Sequence, residues 1–467
     1  MFSELGVGYL VLEWVIRLIM VVVIPLRRPS QAAQSWLLLI FFLPVPGLLL
    51  YAAIGRPTFP AWRTERFRRV QPLLAGVAAK TRAAVSLESP SDTSATENLA
   101  ERLGGFAPVD GNTVTFLTDY DETIRRLVAD IDAAKVSVRL LVYIFADDAV
   151  GRPVAAALAR AVARGVACHV IFDPVGSHHW RRGTLKLLRD AGVEVREALP
   201  LRLVHLRSRT DMRNHRKLFL IDGRIGYGGS QNIVAKDFRP GVTNQELVLR
   251  AEGPLATQLG AIFVADWFLE TEILLPLADV PAERGAAVAQ ALPSGASYPV
   301  AGFETLLVWH IHTARRRVVI TTPYLIPDED LIGAMRTAAL RGVDVVLIVS
   351  EIADQKLVSL AQQSYYDELL RSGVEIFLYR GFLLHAKSIG IDDHLAIVGS
   401  SNVDIRSFRL NEEVSILFYD PASIAGLKAV EARSLAASRA LSLDEWRHRP
   451  AIAKFLENLA RLISPLL

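Results

Sequence analysis

Apolar residues crowd the first 54 positions and then fall into short runs separated by polar turns. Leu5–Ile24 is apolar except for Glu13 and Arg17, and Trp36–Ile54 is apolar throughout, with Pro44, Pro46 and Gly47 inside it. Each stretch is close to the roughly 20 residues that a membrane-crossing helix needs. The pattern therefore predicts an N-terminal pair of membrane helices over residues 1–56. Glu13 and Arg17 lie four apart, on one helix face, where they neutralise each other. The Pro-x-Pro-Gly run predicts a kink in the second stretch, which also admits a re-entrant or interfacial path. No basic segment precedes the first stretch and no small-residue cleavage site follows it, so it reads as an anchor and not a leader.

The flanks set an orientation. The connecting loop carries Arg27 and Arg28, whereas Arg56, Arg63, Arg66, Arg68, Arg69, Lys80 and Arg82 follow the second stretch against Glu65 alone. Positive charge marks the cytoplasmic side, so a two-span hairpin places both its ends, and the rest of the chain, there. The same run suits anionic lipid headgroups. Val85–Asn98 is polar and Ser/Thr-rich and reads as a linker, which makes 57–111 a juxtamembrane segment and starts the folded region near Asn112.

Beyond that point the chain repeats itself. VSVRLLVYIF from Val136 is matched by RVVITTPYLI from Arg317, RGVACHVIFD from Arg164 by RGVDVVLIVS from Arg341, and DAGVEVRE from Asp190 by RSGVEIFLY from Arg371. Helical patterns such as Val154–Arg164 and Leu331–Arg341 separate these strand-like runs. The expected fold is α/β, with mostly parallel strands under helices, in two tandem domains over 112–290 and 291–467 related by a pseudo-twofold. Such symmetry can bring equivalent residues together.

Composition narrows the function. One cysteine in 467 residues excludes a disulfide framework and a cysteine-built metal site. A net charge of +3 gives no global signal for a nucleic-acid partner.

The last repeated block carries the chemistry. HRKLFLIDGRIGYGGSQN from His215 is matched by HAKSIGIDDHLAIVGSSN from His385. Both copies read His-x-Lys-x4-Asp followed by Gly-Ser-x-Asn: His215, Lys217, Asp222, Ser230 and Asn232, then His385, Lys387, Asp392, Ser400 and Asn402. Residues two apart on a strand share a face, so each His and Lys can address one phosphate. The glycines admit close backbone approach, and the serines and asparagines add neutral donors. Pooled, the two copies supply one imidazole to attack phosphorus, a second to protonate the leaving alkoxide, and cations for the equatorial oxygens. The downstream carboxylates Glu246 and Glu413 are candidates to hydrogen-bond and orient the imidazoles. Asp222 and Asp392 belong to the motif, but their spacing suits pinning a strand turn. The basic stretch Arg202–Lys217 is a candidate lining for the mouth of an anionic-substrate site. In the C-terminal FLENLARLISPLL, Phe455, Leu456, Leu459, Leu462 and Ile463 share a helical face that packs on the second domain or lies at a membrane interface.

This duplicated motif resembles the phospholipase D superfamily. More narrowly, YIFADDAVG at Tyr143, DMRNHRKLFLIDG at Asp211, TTPYLIPDEDL at Thr321 and GSSNVDIRSFRLNEEVS at Gly399 resemble the bacterial cardiolipin synthases, over nearly the whole chain. The resemblance implies transfer of a phosphatidyl group from one phosphatidylglycerol through a phosphohistidine to a second, without metal or any other cofactor. Hydrolysis, as in a phospholipase D proper, is the alternative. It further implies an inner-membrane, multi-pass enzyme facing the cytoplasm, with phosphatidylglycerol and other anionic phospholipids as partners. His215 is then the nucleophile and His385 the general acid/base, the reverse order staying open, and Lys217, Lys387, Asn232 and Asn402 bind phosphate. Two departures stand out: Glu412 replaces the aromatic that usually separates Asn411 from Glu413, and Ser350–Gln355 lacks an expected proline.

Overall fold

The apolar runs of the repeat pair edge to edge into one mixed sheet of fifteen strands. The computed structural model describes the chain apart from Met1, Pro29 and residues 56–57, 84–93, 201–210, 283–284, 299 and 464–467. In chain order the strands are β1 (Val109–Leu117), β2 (Ser137–Val142), β3 (Ala167–Phe172), β4 (Glu194–Glu197), β5 (Leu218–Ile221), β6 (Ile225–Gly229), β7 (Val248–Glu252) and β8 (Ala287–Ser294). They continue with β9 (Arg317–Thr321), β10 (Asp344–Ser350), β11 (Glu375–Tyr379), β12 (Ser388–Ile391), β13 (Leu395–Gly399), β14 (Glu413–Phe418) and β15 (Ser438–Leu441). From one edge the order is β4-β3-β2-β5-β6-β7-β1, then β8-β14-β13-β12-β9-β10-β11-β15. Apart from β15, the second series is the first read backwards, and β1 and β8 join them antiparallel.

The expectation of mostly parallel pairing is corrected. Among the described residues of this sheet only β2/β3, β3/β4, β9/β10 and β10/β11 run parallel; its other ladders are antiparallel. The His-containing blocks cause this. Asp222 (φ 53°) and Gly223 (φ 64°) turn β5 straight back into β6, and Asp392 (φ 49°) does the same between β12 and β13. A reversal this short can only give an antiparallel pair.

Helices cover both faces. One core unites Leu141, Leu218 and Leu249 of the first half with Val346, Val398 and Val414 of the second, beneath Phe263 and Trp267 of α6 (Leu255–Thr271). That helix is buried on nearly all sides, which explains why its sequence has no polar stripe.

Of the N-terminal helices, α1 (Phe2–Val23) is about 33 Å long at 1.5 Å per residue, enough for a bilayer core of about 30 Å. It is the one helix among the described residues that is long and apolar enough to cross. The second apolar stretch is not a single helix. It breaks at Leu43 into α2 (Ser30–Phe42) and α3 (Pro44–Ile54), because Pro44 disfavours helical backbone in the residue before it. The two fold back on each other: the Trp36 and Tyr51 rings meet edge-on at 5.1 Å, and a Cβ on Gly47 would stand 2.9 Å from Ile40. The tip of this hairpin lies midway along α1, where the Arg17 guanidinium, paired with Glu13 at 3.2 Å, donates to the Phe41 carbonyl at 3.1 Å. At the other end Arg28 donates to the Ile54 carbonyl. The chain therefore leaves α3 at the same end at which it left α1.

The folded body begins well before Asn112. In α4 (Ala61–Ala83), Phe67 and Val70 pack on Phe268 and Leu269 of α6. Its arginines are engaged by that body: Arg63 with Glu270 at 2.6 Å, and Arg66 and Arg69 with Glu272 at 2.5 and 2.7 Å. The headgroup-facing run expected from sequence is in good part a docking face, because α6 ends in two glutamates. In the linker region, α5 (Ser94–Gly104) is helical and buries Ala100 in the core. The rest of that linker, 85–93, lies outside the described residues.

Candidate active site

The segment before His215 runs beside the segment before Glu413: His215 N–H donates to the Glu412 carbonyl at 2.9 Å, and Glu412 N–H to the Arg213 carbonyl at 2.8 Å. Likewise Leu383–Leu384 pairs with Asn244–Gln245, and His385 N–H donates to the Gln245 carbonyl at 2.8 Å. Each histidine thus lands on the glutamate of the other half. His215 Nδ1 lies 2.9 Å from Glu413 Oε1, and His385 Nδ1 lies 2.8 Å from Glu246 Oε1. Residues 170 apart in sequence share one pocket of about 270 Å³, lined by both imidazoles, Asn232, Asn402, Tyr143, Tyr324 and three arginines, Arg213, Arg239 and Arg406.

Burial decides the electrostatics. Loss of water pushes both imidazoles down to about 4, against the opposing pull of Glu413 on His215 and of Glu246 on His385. Burial also pushes Lys217 down to about 7 and Lys387 to about 8, opposed by the same carboxylates. Burial disfavours ionised Glu246 and Glu413, but the partner imidazole, the nearby lysine and Ser230 or Ser400 outweigh it, so both carboxyls sit below their usual range. At neutral pH the free site holds neutral imidazoles facing carboxylates. A carboxylate accepts, so each Nδ1 carries the hydrogen and each Nε2 keeps its lone pair. That tautomer suits a nucleophile or base.

The motif's other residues divide. Asn232 and Asn402 line the pocket; Asn232 Oδ1 accepts from Ile144 N–H at 3.0 Å, and Asn402 Oδ1 has no partner among the described residues. Lys217 and Lys387 lie buried beneath, each donating to the carbonyl of its own histidine at 2.7 and 2.6 Å. The serines do not reach the pocket wall. Ser230 Oγ sits on Leu247 (3.1 Å to its carbonyl, 2.9 Å from its N–H), and Ser400 Oγ donates to Glu413 Oε2 at 2.5 Å. The glycines before them explain this: a Cβ on Gly229 or Gly399 would meet the Leu247 or Val414 carbonyl at 2.4 Å, so the close approach they permit is strand to strand. Asp222 and Asp392 are turn pins, away from the pocket. Asp222 accepts from the N–H groups of Lys135, Val136 and Ser137 at 2.7–2.9 Å, and Asp392 from those of Arg315, Arg316 and Arg317 at 2.7–2.9 Å.

Sequence reasoning passed over several residues at the wall. Tyr143 stands edge-on to His215 at 5.1 Å, and burial pushes its hydroxyl up to about 12. It and Tyr324 occupy matching places in VYIF and PYLI, so the repeat itself carried that signal. Arg239 crosses the halves to Asp354, whereas Arg213, one of the basic stretch expected to line the mouth, does line the pocket and is tied to buried Asp173 at 2.8 Å. Arg202, Arg207 and Arg209 of the basic stretch lie outside the described residues.

Residues 127–267 and 307–432 match the family model described as cardiolipin synthase, PLD-like domain, in total more than half of the chain. The chain belongs to this family. Relatives named cardiolipin synthase A span nearly its full length: 36% identical over 456 residues in Pectobacterium carotovorum and 37% over 463 in Erwinia tasmaniensis, each covering 94% of both chains. Among solved structures, phosphatidylserine synthase of Haemophilus influenzae shares the fold, with a TM-score of 0.60 and 14% identity over 80% of this chain and all of that one. Against the family pattern, Glu412 has a physical role here. With Asp266 it holds the Arg216 guanidinium at 2.7–2.9 Å, all three side chains being buried.

Proposed function

We propose that this chain is a membrane-bound phosphatidyltransferase that makes cardiolipin from two phosphatidylglycerol molecules and releases glycerol. The observation that carries this reading is the crossed pairing of the two histidines and glutamates around one cation-rich pocket, in a chain that matches cardiolipin synthases from end to end. In the first step His385 takes up a proton from solvent at Nε2 as the anionic phosphate binds beside it, His215 Nε2 attacks phosphorus, the P–O bond to the headgroup glycerol breaks, and His385 delivers that proton to the departing alkoxide. In the second step His385 takes the proton of a headgroup hydroxyl on a second phosphatidylglycerol, that oxygen attacks phosphorus, and the P–N bond breaks. Asn232 and Asn402 hold the phosphate oxygens while Lys217 and Lys387 stabilise their charge from below. No nucleic acid enters the scheme. The mirrored strand orders support reading 112–290 and 291–467 as tandem domains about a pseudo-twofold that passes between the histidines, behind an anchor (1–56) and a juxtamembrane segment (57–111). Water competes for a phosphohistidine, and membrane anchoring favours the lipid alcohol by concentrating it in the same bilayer. With phosphatidylglycerol as sole lipid, the reconstituted protein is expected to yield cardiolipin and glycerol in equal amounts. Phosphatidic acid as sole product, taking oxygen from labelled water, would make it a hydrolase.

We further propose that the catalytic body faces the cytoplasm of the inner membrane, with α1 crossing once and α2–α3 as a re-entrant hairpin. This modifies the two-span topology: Arg27, Arg28 and the α4 arginines then share the cytoplasmic end, in keeping with the charge rule, and the N-terminus lies outside. In intact spheroplasts, an impermeant thiol reagent is expected to label Gly6→Cys and not Leu26→Cys. Labelling of neither, with both reactive after lysis, contradicts the single crossing.

A further inference from the structure

The C-terminal helix α8 (Ala451–Ile463) is amphipathic in the opposite sense to a helix on a soluble protein. Its apolar stripe, at the helical spacing of Ile452, Phe455, Leu456, Leu459 and Leu462, points away from the body, with 42–64% of each residue exposed. Two of its three charged residues point inward: Glu457 is 2% exposed and pairs with Arg449 at 2.8 Å, and the Arg461 guanidinium lies over the Tyr365 ring at 4.4 Å, while Lys454 donates to the Arg447 carbonyl at an exposed edge. In water such a helix would bury its apolar side. An exposed apolar stripe of this kind marks a surface that meets a membrane or another apolar partner.

Two contacts say which of these it meets. Ser35 of α2 donates to the Leu462 carbonyl at 3.0 Å, so the end of α8 abuts the apolar hairpin. The inner face of α8 packs on α7 (Lys356–Gln363), which exposes Leu357 beside it and supplies Val358 to the wall of the histidine pocket. The stripe is thus continuous with the membrane segment at one end and one helix removed from the active-site mouth. We infer that α8 is an interfacial membrane-binding helix that sinks its apolar face into the phospholipid leaflet and seats the mouth of the pocket on the bilayer surface. This rests on the membrane reading of α1–α3. It gives the enzyme a means of receiving substrates whose acyl chains stay in the leaflet.

The full-length protein, reconstituted in vesicles of phosphatidylglycerol and acyl-brominated phosphatidylcholine, provides the test. Cys168 is buried, so an environment-sensitive fluorophore can be placed on Phe455→Cys and, separately, on Leu18→Cys in α1. Quenching of both labels by brominated lipid is expected. Quenching at position 18 but not 455 overturns the role of α8 alone, as does self-quenching at 455 between copies without lipid quenching; quenching at neither position overturns the membrane reading with it. A Phe455→Ser/Leu459→Ser variant is expected to lose about tenfold in kcat/KM on vesicles and nothing on short-chain, monomeric phosphatidylglycerol. An equal loss on both substrates would mean that the stripe is structural.

Discussion

Replacing His215 or His385 by alanine lowers cardiolipin formation by about 10³-fold or more, since each change removes a covalent or proton-transfer step. The two variants differ in one respect. A phosphatidyl substrate with a leaving group that needs no proton still phosphorylates His385→Ala and does not phosphorylate His215→Ala; the opposite outcome reverses the order of the histidines. The pH profile carries the same argument. In the free site both imidazoles titrate at about 4, so both Nε2 atoms stay available down to that region. The profile of kcat/KM, which reports the free enzyme, is therefore expected to show no acid limb near the ordinary histidine value of about 6.5, and, because His385 must gain a proton to act as the acid, to fall as pH rises above about 4. Lys217 and Lys387 are cationic below about 7 and about 8 and lose their charge as pH rises, so the fall steepens on the alkaline side of that window. An acid limb near 6.5 would mean that the imidazoles are wetter than their burial implies.

Arg216→Met is expected to destabilise the full chain by about 3–5 kcal/mol, as removal of one partner from a buried ion cluster does. Arg216 holds Asp266 of the first half and Glu412 of the second at 2.7–2.9 Å, and its Nε donates to the Glu413 carbonyl at 2.9 Å. Without it two carboxylates face each other out of water. They then hold protons more tightly folded than unfolded, so the loss is smallest at acid pH and grows as pH rises through the carboxylate range. Thermal unfolding of the detergent-solubilised protein measures this. Adding Asp266→Asn and Glu412→Gln is expected to restore part of the stability, and a single Arg216→Met variant as stable as wild type at every pH would contradict the account.

How much of this could be read from the chain differs residue by residue. His215 and His385, with Asn232 and Asn402, stood out because the motif is duplicated, and duplication carries more information than any single spacing. Glu246 and Glu413 stood out as orienting carboxylates. Their crossed pairing did not, because it depends on how the two halves dock and no local pattern encodes that. Arg216 alternates with His215 and Lys217 in the segment leading into β5 and so faces away from them, but its partners lie 50 and 196 residues away. Ser230 and Ser400 were misplaced because Gly-Ser suggests room for a ligand, when the neighbouring strand fills that room. The break in the second apolar stretch is legible in its Pro-x-Pro-Gly run, which predicts a kink and admits a re-entrant path; the fold-back of α3 on α2 is not, because it depends on the packing of Trp36 and Ile40 against Tyr51 and Gly47. Parallel pairing was overestimated because Asp222-Gly223 is a tight reversal, and it outweighs the α/β alternation on either side.

The most direct test of the two-step transfer is a rapid-quench experiment on the reconstituted wild type with phosphorus-labelled phosphatidylglycerol, followed by digestion and mapping of the label. The account predicts an acid-labile, alkali-stable adduct on the His215 peptide within the first turnover, which chases into cardiolipin when unlabelled phosphatidylglycerol is added. Cardiolipin appearing at full rate with no labelled histidine at any time, or with a label that does not chase, would contradict it.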